Sequence, residues 1–197
     1  MSALPVDPPV VYYAQLCARS YSDTPTYGKA SDAGRALVYN SVVTLPGTDN
    51  KESVLADGDI ETVTIEHIGT VHAGFWRALA PIRQPLVDLS PLIITGHSEG
   101  ADEALLLGAT LCVAGKPPTA IYAFEPARLC MDATMRGLFE AHGVMVYATK
   151  NGNDLVPDVP PWMQHPCDLA LIGKPLLPIP NVEDHLIENV IKSLQGV

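Results

Sequence analysis

Apolar positions along the chain follow two periods. Short runs that are apolar on both faces, such as Leu92–Thr95, Ala120–Phe124 and Val144–Ala148, recur between stretches of helical spacing. Strands with two dry faces belong to a parallel sheet covered by helices, because a strand with one wet face alternates instead. The pattern predicts strands at Ala36–Leu45, Glu61–Ile65, Leu92–Thr95, Ala120–Phe124, Val144–Ala148 and Leu169–Ile172. It predicts helices at 9–20, Ala73–Leu89, Glu99–Ala114, Cys130–His142 and Asp184–Leu194, the first with prolines in or just before its opening turn. Strand alternating with helix defines the fold class as α/β. No repeat, low-complexity tract or linker interrupts the pattern, so residues 1–197 are expected to form one domain.

Composition and charge narrow the partners. With 197 residues, 47% apolar and 17% charged, the chain is no disordered polymer and can bury a core without disulfide or metal support. Twelve basic residues stand against 22 acidic ones, a net charge of −10, and no two basic residues are adjacent. Binding to a phosphate backbone would lack its counterion-release drive, so neither a nucleic acid nor an anionic membrane is expected as a partner. No apolar stretch approaches the ~20 residues of a bilayer-spanning helix. The opening M-S-A-L-P-V-D-P-P has no basic segment leading into an apolar one, which favours a cytoplasmic protein, a processed secreted form being the alternative. Cys17, Cys112, Cys130 and Cys167 show no C-x-x-C spacing, so reduced, partly buried thiols are expected rather than disulfides or zinc ligands, and no metal or cofactor.

Two segments depart from the average. Residues 49–66 carry six acids and the single base Lys51, as a solvated loop and strand edge does. Residues 157–180 hold seven of the 18 prolines, an irregular excursion of the kind that builds one wall of a site.

The chemistry concentrates at Gly96-His97-Ser98-Glu99-Gly100, directly after a predicted strand and before a predicted helix. A G-x-S-x-G in that context is a nucleophile elbow: the turn strains Ser98, and side chains at either glycine would collide with neighbouring backbone. A serine hydroxyl needs a base and an orienting acid, which in this topology follow it in the order acid, then histidine. Asp154 follows the strand Val144–Ala148. His185 follows one further strand and opens the last helix; His165 also lies after Asp154 and is the rival base.

Five segments in order resemble the class 3 lipases, an α/β-hydrolase family: V-V-T-L-P-G-T-D (42–49), V-H-A-G-F (71–75), I-T-G-H-S-E-G-A (94–101), F-E-P-A-R (124–128) and N-D-L-V-P-D-V-P-P (153–161). The resemblance implies a mostly parallel central sheet with helices on both faces. It also implies hydrolysis of carboxylic esters by Ser98, Asp154 and His185, with an oxyanion hole at Thr48 and the backbone N–H of Glu99. The chain departs from the family pattern at Leu45 and Pro46, where an aromatic and an arginine usually stand. Glu99 takes the place of an apolar residue, and Glu125 that of a glycine. The family's lid falls on residues 50–60, which are acidic and have only Val54, Leu55 and Ile60 as large apolar residues, a minimal lid. An esterase acting on soluble short- to medium-chain esters is therefore expected, with its small-molecule ester or lipid substrate as partner. The alternatives are an acyltransferase or peptidase with the same triad, a cutinase-like polymer or cell-envelope esterase, and an inactive binding protein. Phe75, Trp76 and Trp162 are candidates for the acyl pocket, ordinary core packing being the alternative, and the Glu99 side chain is expected to point out into water.

Overall fold

Six strands in the order β1-β2-β5-β6-β7-β8 form the central sheet of the computed structural model, which describes residues 8–47 and 61–196. The elements run α1 (Pro8–Ser20), β1 (Leu37–Tyr39), β2 (Val42–Leu45), β3 (Thr62–Ile65), β4 (Gly69–His72), α2 (Ala73–Leu89), β5 (Ile93–His97), α3 (Glu99–Val113), β6 (Ala120–Phe124), α4 (Thr134–His142), β7 (Met145–Asn151), β8 (Leu169–Ile172) and α5 (Ile187–Gln195). From β2 to β8 every neighbouring pair is parallel, and β1 alone runs antiparallel, on the edge. The expected α/β architecture is present.

Alternation along β6 shows how the sheet divides the core. Ile121 and Ala123 face α2, α3 and α4, in a cluster with Phe75, Leu79, Leu105 and Phe139. Ala120, Tyr122 and Phe124 face α1 and α5, packing with Ala14, Cys17, Ile187 and Val190. Helix α3 is buried almost all round, as a helix that is apolar on every face must be. The four cysteines are free thiols, three of them buried.

The boundaries depart from the pattern in four places. The stretch predicted as one strand over Ala36–Leu45 is a hairpin: Asn40 and Ser41 both take positive φ (47° and 70°), as a two-residue primed turn demands. Strand β4, unpredicted, pairs with β3 in a separate two-stranded sheet. The helix expected from Cys130 begins at Thr134, because Cys130 bridges to Val71 and Gln164. Asp132 ends that extended stretch, accepting hydrogen bonds from the Thr134 and Thr70 N–H groups. The last helix starts at Ile187, after His185 instead of before it.

Candidate active site

Ser98 leaves β5 with φ 59° and ψ −132°, a region that non-glycine residues occupy only when their surroundings impose it. The neighbours do impose it. A Cβ on Gly96 would run into the Gly100 carbonyl, and one on Gly100 would run into the Leu45 carbonyl of β2. The Ser98 N–H donates to the Phe124 carbonyl at 2.9 Å, which pins the elbow to the end of β6. The sequence expectation of a strained turn flanked by obligatory glycines is met at each of these points.

Two strands further along the sheet, β7 delivers the acid. After Asn151 the chain turns through Gly152 at φ 49°, where a side chain would collide with the Asp184 carboxylate. Asp154 then lies fully buried, its Oδ1 accepting the Val156 N–H at 2.9 Å. His185 closes the array from the segment ahead of α5. Its Nδ1 meets Asp154 Oδ2 at 2.6 Å and its Nε2 meets Ser98 Oγ at 2.8 Å. An ionised carboxylate only accepts, so Nδ1 carries the ring proton and Nε2 is left to accept the serine hydroxyl. Ser98 and His185 retain 6% and 4% exposure, so the array is shielded without being sealed.

The rival His165 stands apart from this array. Its Nε2–H donates to the Pro157 carbonyl at 2.8 Å, its Nδ1 is buried without a partner, and burial holds its pKa below the ordinary imidazole value. His97, inside the elbow, has a different task. Its Nε2–H donates to the His185 carbonyl at 2.8 Å and its Nδ1 faces the Tyr21 hydroxyl at 2.6 Å. That hydroxyl also accepts the Gly47 N–H at 3.1 Å. A relay of hydrogen bonds thus ties the backbone of His185 to the turn after β2. Gly47 itself lies so close to the nucleophile that a Cβ there would come within 2.9 Å of Ser98 Cβ.

Thr48 and the lid segment 50–60 lie outside the described residues. The backbone N–H of Glu99 belongs to the first turn of α3, where helical N–H groups have no acceptor within the helix. The Glu99 side chain is a correction to the outward placement expected for it. It is half-buried, burial raises its carboxyl pKa, and the charge of Arg35 opposes that rise. Of the aromatic residues offered for an acyl pocket, Phe75 is packed in the core and stacks on His72, Trp76 packs against the same core beneath the Arg83 guanidinium, and Trp162 is 56% exposed.

Two acids surround the array: Asp184, which sequence reasoning missed, and Glu125, which it noted only as a departure from the family pattern. Asp184 is fully buried, and its carboxylate accepts the Asn153 N–H at 2.8 Å, the Leu176 N–H at 3.1 Å and the Asn181 side-chain amide at 3.1 Å. It therefore joins the Asp154 loop, the proline-rich segment and His185, its sequence neighbour. Glu125, at the end of β6, is fully buried and accepts Thr149 Oγ1–H and Asn151 N–H, each at 2.8 Å. Its proximity to Asp154 is a product of the strand order, which no local pattern displays. The E-D-H triplet at 183–185 was the one local hint of Asp184.

Among the described residues, no group of three or more His, Cys, Asp or Glu side chains is placed to hold a metal. No helix among them is long and apolar enough to cross a membrane.

A mostly parallel sheet covered by helices, with a serine on a strained strand–helix turn, has the architecture of the α/β-hydrolase fold. The chain belongs to the Lipase (class 3) family, whose sequence model matches residues 42–164, and it is an ester-hydrolysing enzyme. No curated protein matches it. Similar solved structures include the Rhizomucor miehei lipase propeptide complex, at 20% identity and TM-score 0.67, covering 83% of this chain and 67% of that one. The lipase from Rhizopus microsporus var. chinensis matches at 21% identity and TM-score 0.69, covering 83% and 73% of the two chains. A triacylglycerol lipase from Penicillium expansum matches at 13% identity and TM-score 0.65, covering 85% and 79%. At these identities the likeness speaks for the fold.

Proposed function

We propose that Ser98, His185 and Asp154 are the catalytic triad of a serine esterase that works through an acyl-enzyme on soluble short- to medium-chain carboxylic esters. The observation that carries this reading is the unbroken pair of hydrogen bonds from Ser98 Oγ to His185 and from His185 to Asp154. His185 takes the serine proton as Oγ attacks the ester carbonyl, and Asp154 holds the imidazole tautomer and balances the imidazolium. The Glu99 N–H and the backbone at Thr48 receive the oxyanion, beside the positive end of α3. His185 then returns its proton to the leaving alkoxide, and a water attacks the acyl-enzyme with His185 again as base. The four free thiols suit a reducing compartment, in keeping with a cytoplasmic setting.

One observation favours a second reading, action at a lipid–water interface. The segment leading from β8 to His185 exposes Leu176 and Ile179 at 58% and 62%, next to Leu171 at 80% on β8 itself. It runs along the catalytic edge of the sheet and is fastened there by the Leu176 N–H donated to Asp184.

The triad is tested with a short p-nitrophenyl ester. Ser98→Ala and His185→Ala should each lower kcat by about a million-fold, since serine and base act as a unit, while His165→Ala keeps most activity. A fluorophosphonate should add one mass to the wild type and none to Ser98→Ala. Labelling that survives in Ser98→Ala, or a collapse of activity in His165→Ala with the fold intact, refutes the assignment.

A further inference from the structure

Glu125 is an unexpected residue on two physical grounds. Its φ of 56° is a conformation that glycine adopts freely and glutamate does not. Its carboxyl is fully buried, which is costly for a charge unless a cation or several donors receive it. No cation among the described residues does so: Arg128, the nearest in sequence, donates to the Pro161 carbonyl at 3.0 Å, and Lys150 pairs with Asp158 at 2.5 Å. The strained, buried acid is held by Thr149 Oγ1–H and Asn151 N–H, one on each oxygen. The same carboxyl is a neighbour of the Asp154 carboxyl: both are fully buried, and the Asn151 whose N–H Glu125 accepts also accepts the Asp154 N–H on its carbonyl at 3.0 Å.

Two ionised carboxylates cannot hydrogen-bond to each other, because both only accept; one of the pair must carry a proton. Asp154 faces the ring N–H of His185 and, on the triad reading, an imidazolium during turnover, so it is the member that stays ionised. We propose that Glu125 is a positioning residue: a neutral carboxylic acid whose O–H donates to the Asp154 carboxylate. It thereby fixes the rotamer of Asp154 and moderates its basicity toward His185. The proton stays on Glu125 throughout, and no bond to it forms or breaks in the reaction. The inference rests on the triad reading of Ser98, His185 and Asp154.

The surrounding groups agree. Burial, followed by the hydrogen bond with Asp154 and then its charge, pushes the Glu125 carboxyl well above the ordinary range, and the bonds from Asn151 and Thr149 pull it back only in part. Titratable groups facing Glu125 come from two elements: Asp154, from the loop after β7, and Tyr147, on β7 itself, whose phenol is raised by burial and then by Glu125. His185, ahead of α5, is reached through Asp154. Since Gly96 and Gly100 already account for the sterics of the elbow, the strained glutamate is not needed to build the turn that carries Ser98.

Glu125→Gly and Glu125→Gln separate the donor from the backbone. Glycine relieves the positive φ but removes the donor. Glutamine keeps a donor toward Asp154, accepts the Asn151 N–H on its carbonyl oxygen, and leaves the rotatable Thr149 hydroxyl to adapt. Without the donor Asp154 is more basic, the His185 imidazolium is stabilised in the free enzyme, and the acid limb of kcat/KM moves up by about one pH unit. Glu125→Gln should restore the limb to the wild-type position. Infrared difference spectra of wild type minus Glu125→Gln at neutral pH should contain the carbonyl stretch of a protonated carboxyl. A Glu125→Gly limb superimposed on the wild type, a Glu125→Gln limb that follows Glu125→Gly, or no such stretch would each overturn the proposal. Failure of the triad reading is recognised separately, by an active Ser98→Ala.

Discussion

Asp184 offers a perturbation whose size can be worked from the hydrogen bonds that it accepts. In Asp184→Asn the shape is kept, but one oxygen becomes an NH₂ group. The orientation that serves most partners keeps the remaining oxygen on Asn153 N–H and the Asn181 amide, at 2.8 and 3.1 Å. The NH₂ then faces the Leu176 N–H, donor against donor, and that group keeps only its longer contact, 3.4 Å, to the remaining oxygen. One weakened bond, plus the change of two charge-assisted bonds into neutral ones, costs about 2–4 kcal/mol. For a chain of this size that is a fall of roughly 5–15 °C in Tm. Activity should suffer as well, because the Asp184 carbonyl accepts the Asn151 side-chain amide at 2.8 Å and the next residue is His185. A displacement of the imidazole by about 1 Å costs on the order of a hundredfold in kcat/KM. Thermal unfolding and kcat/KM on a soluble ester should therefore be measured together, with Asp184→Ala as the harsher variant. If Asp184→Asn melts and turns over like the wild type, the carboxylate is not what fastens the segment of His185.

Two further perturbations probe other parts of the molecule. Glu103 on α3 is fully buried with neither carboxylate oxygen hydrogen-bonded, and burial raises its pKa well above the ordinary value. A raised folded pKa gives stability that is complete below the unfolded value and lost as pH rises through the folded one. Glu103→Gln cannot titrate, so its Tm relative to wild type should climb as pH is raised from acid to alkaline; a pH-independent difference would contradict the buried neutral acid. On substrates, the esterase reading expects simple saturation with soluble short esters and no jump at the solubility limit. A sharp rise on triglyceride emulsions that Leu176→Ser and Ile179→Ser abolish would favour the interfacial reading instead.

Much of the fold was legible because its signals are local. Strand β5, the elbow and α3 lie within Ile93–Val113 as one run of apolar residues, glycines and a serine, and each component is dictated by its neighbours in sequence. Helix α2 begins and ends where the pattern placed it, despite Pro81 and Pro85 within it. What failed to show were features decided by distant partners. The hairpin at Asn40–Ser41 interrupts a continuous apolar run, and only the two turn-forming residues betray it. Cys130 sits in a helical pattern yet is extended, because Val71 on one side and Gln164 on the other supply backbone partners. The choice between His185 and His165 likewise depended on where the proline-rich segment carries each ring, although chain order favoured the former.

The array of Ser98, His185 and Asp154 was legible in its three members, and much less so in the acids around them. Yet one of these inferences was available from the sequence. A helix reading E-G-A-D-E-A-L-L-L-G-A-T-L-C, with small or apolar residues on every face, has no wet side on which to place its acids. If that helix packs between a sheet and further helices, Asp102 and Glu103 must lie inside, and both do, at 0% exposure. Burial without a cation then requires a proton or an array of donors. Asp102 has one donor, the Ala127 N–H at 3.0 Å, and Glu103 has none. Both carboxyls are accordingly pushed well above the ordinary range, as is that of Glu125 at the end of β6. Asp154 is buried just as completely but is the acid that His185 faces with a ring N–H. Which partners a buried acid meets, a ring N–H for Asp154 and none for Glu103, is decided by distant elements, and such partners are what tertiary structure adds to a sequence.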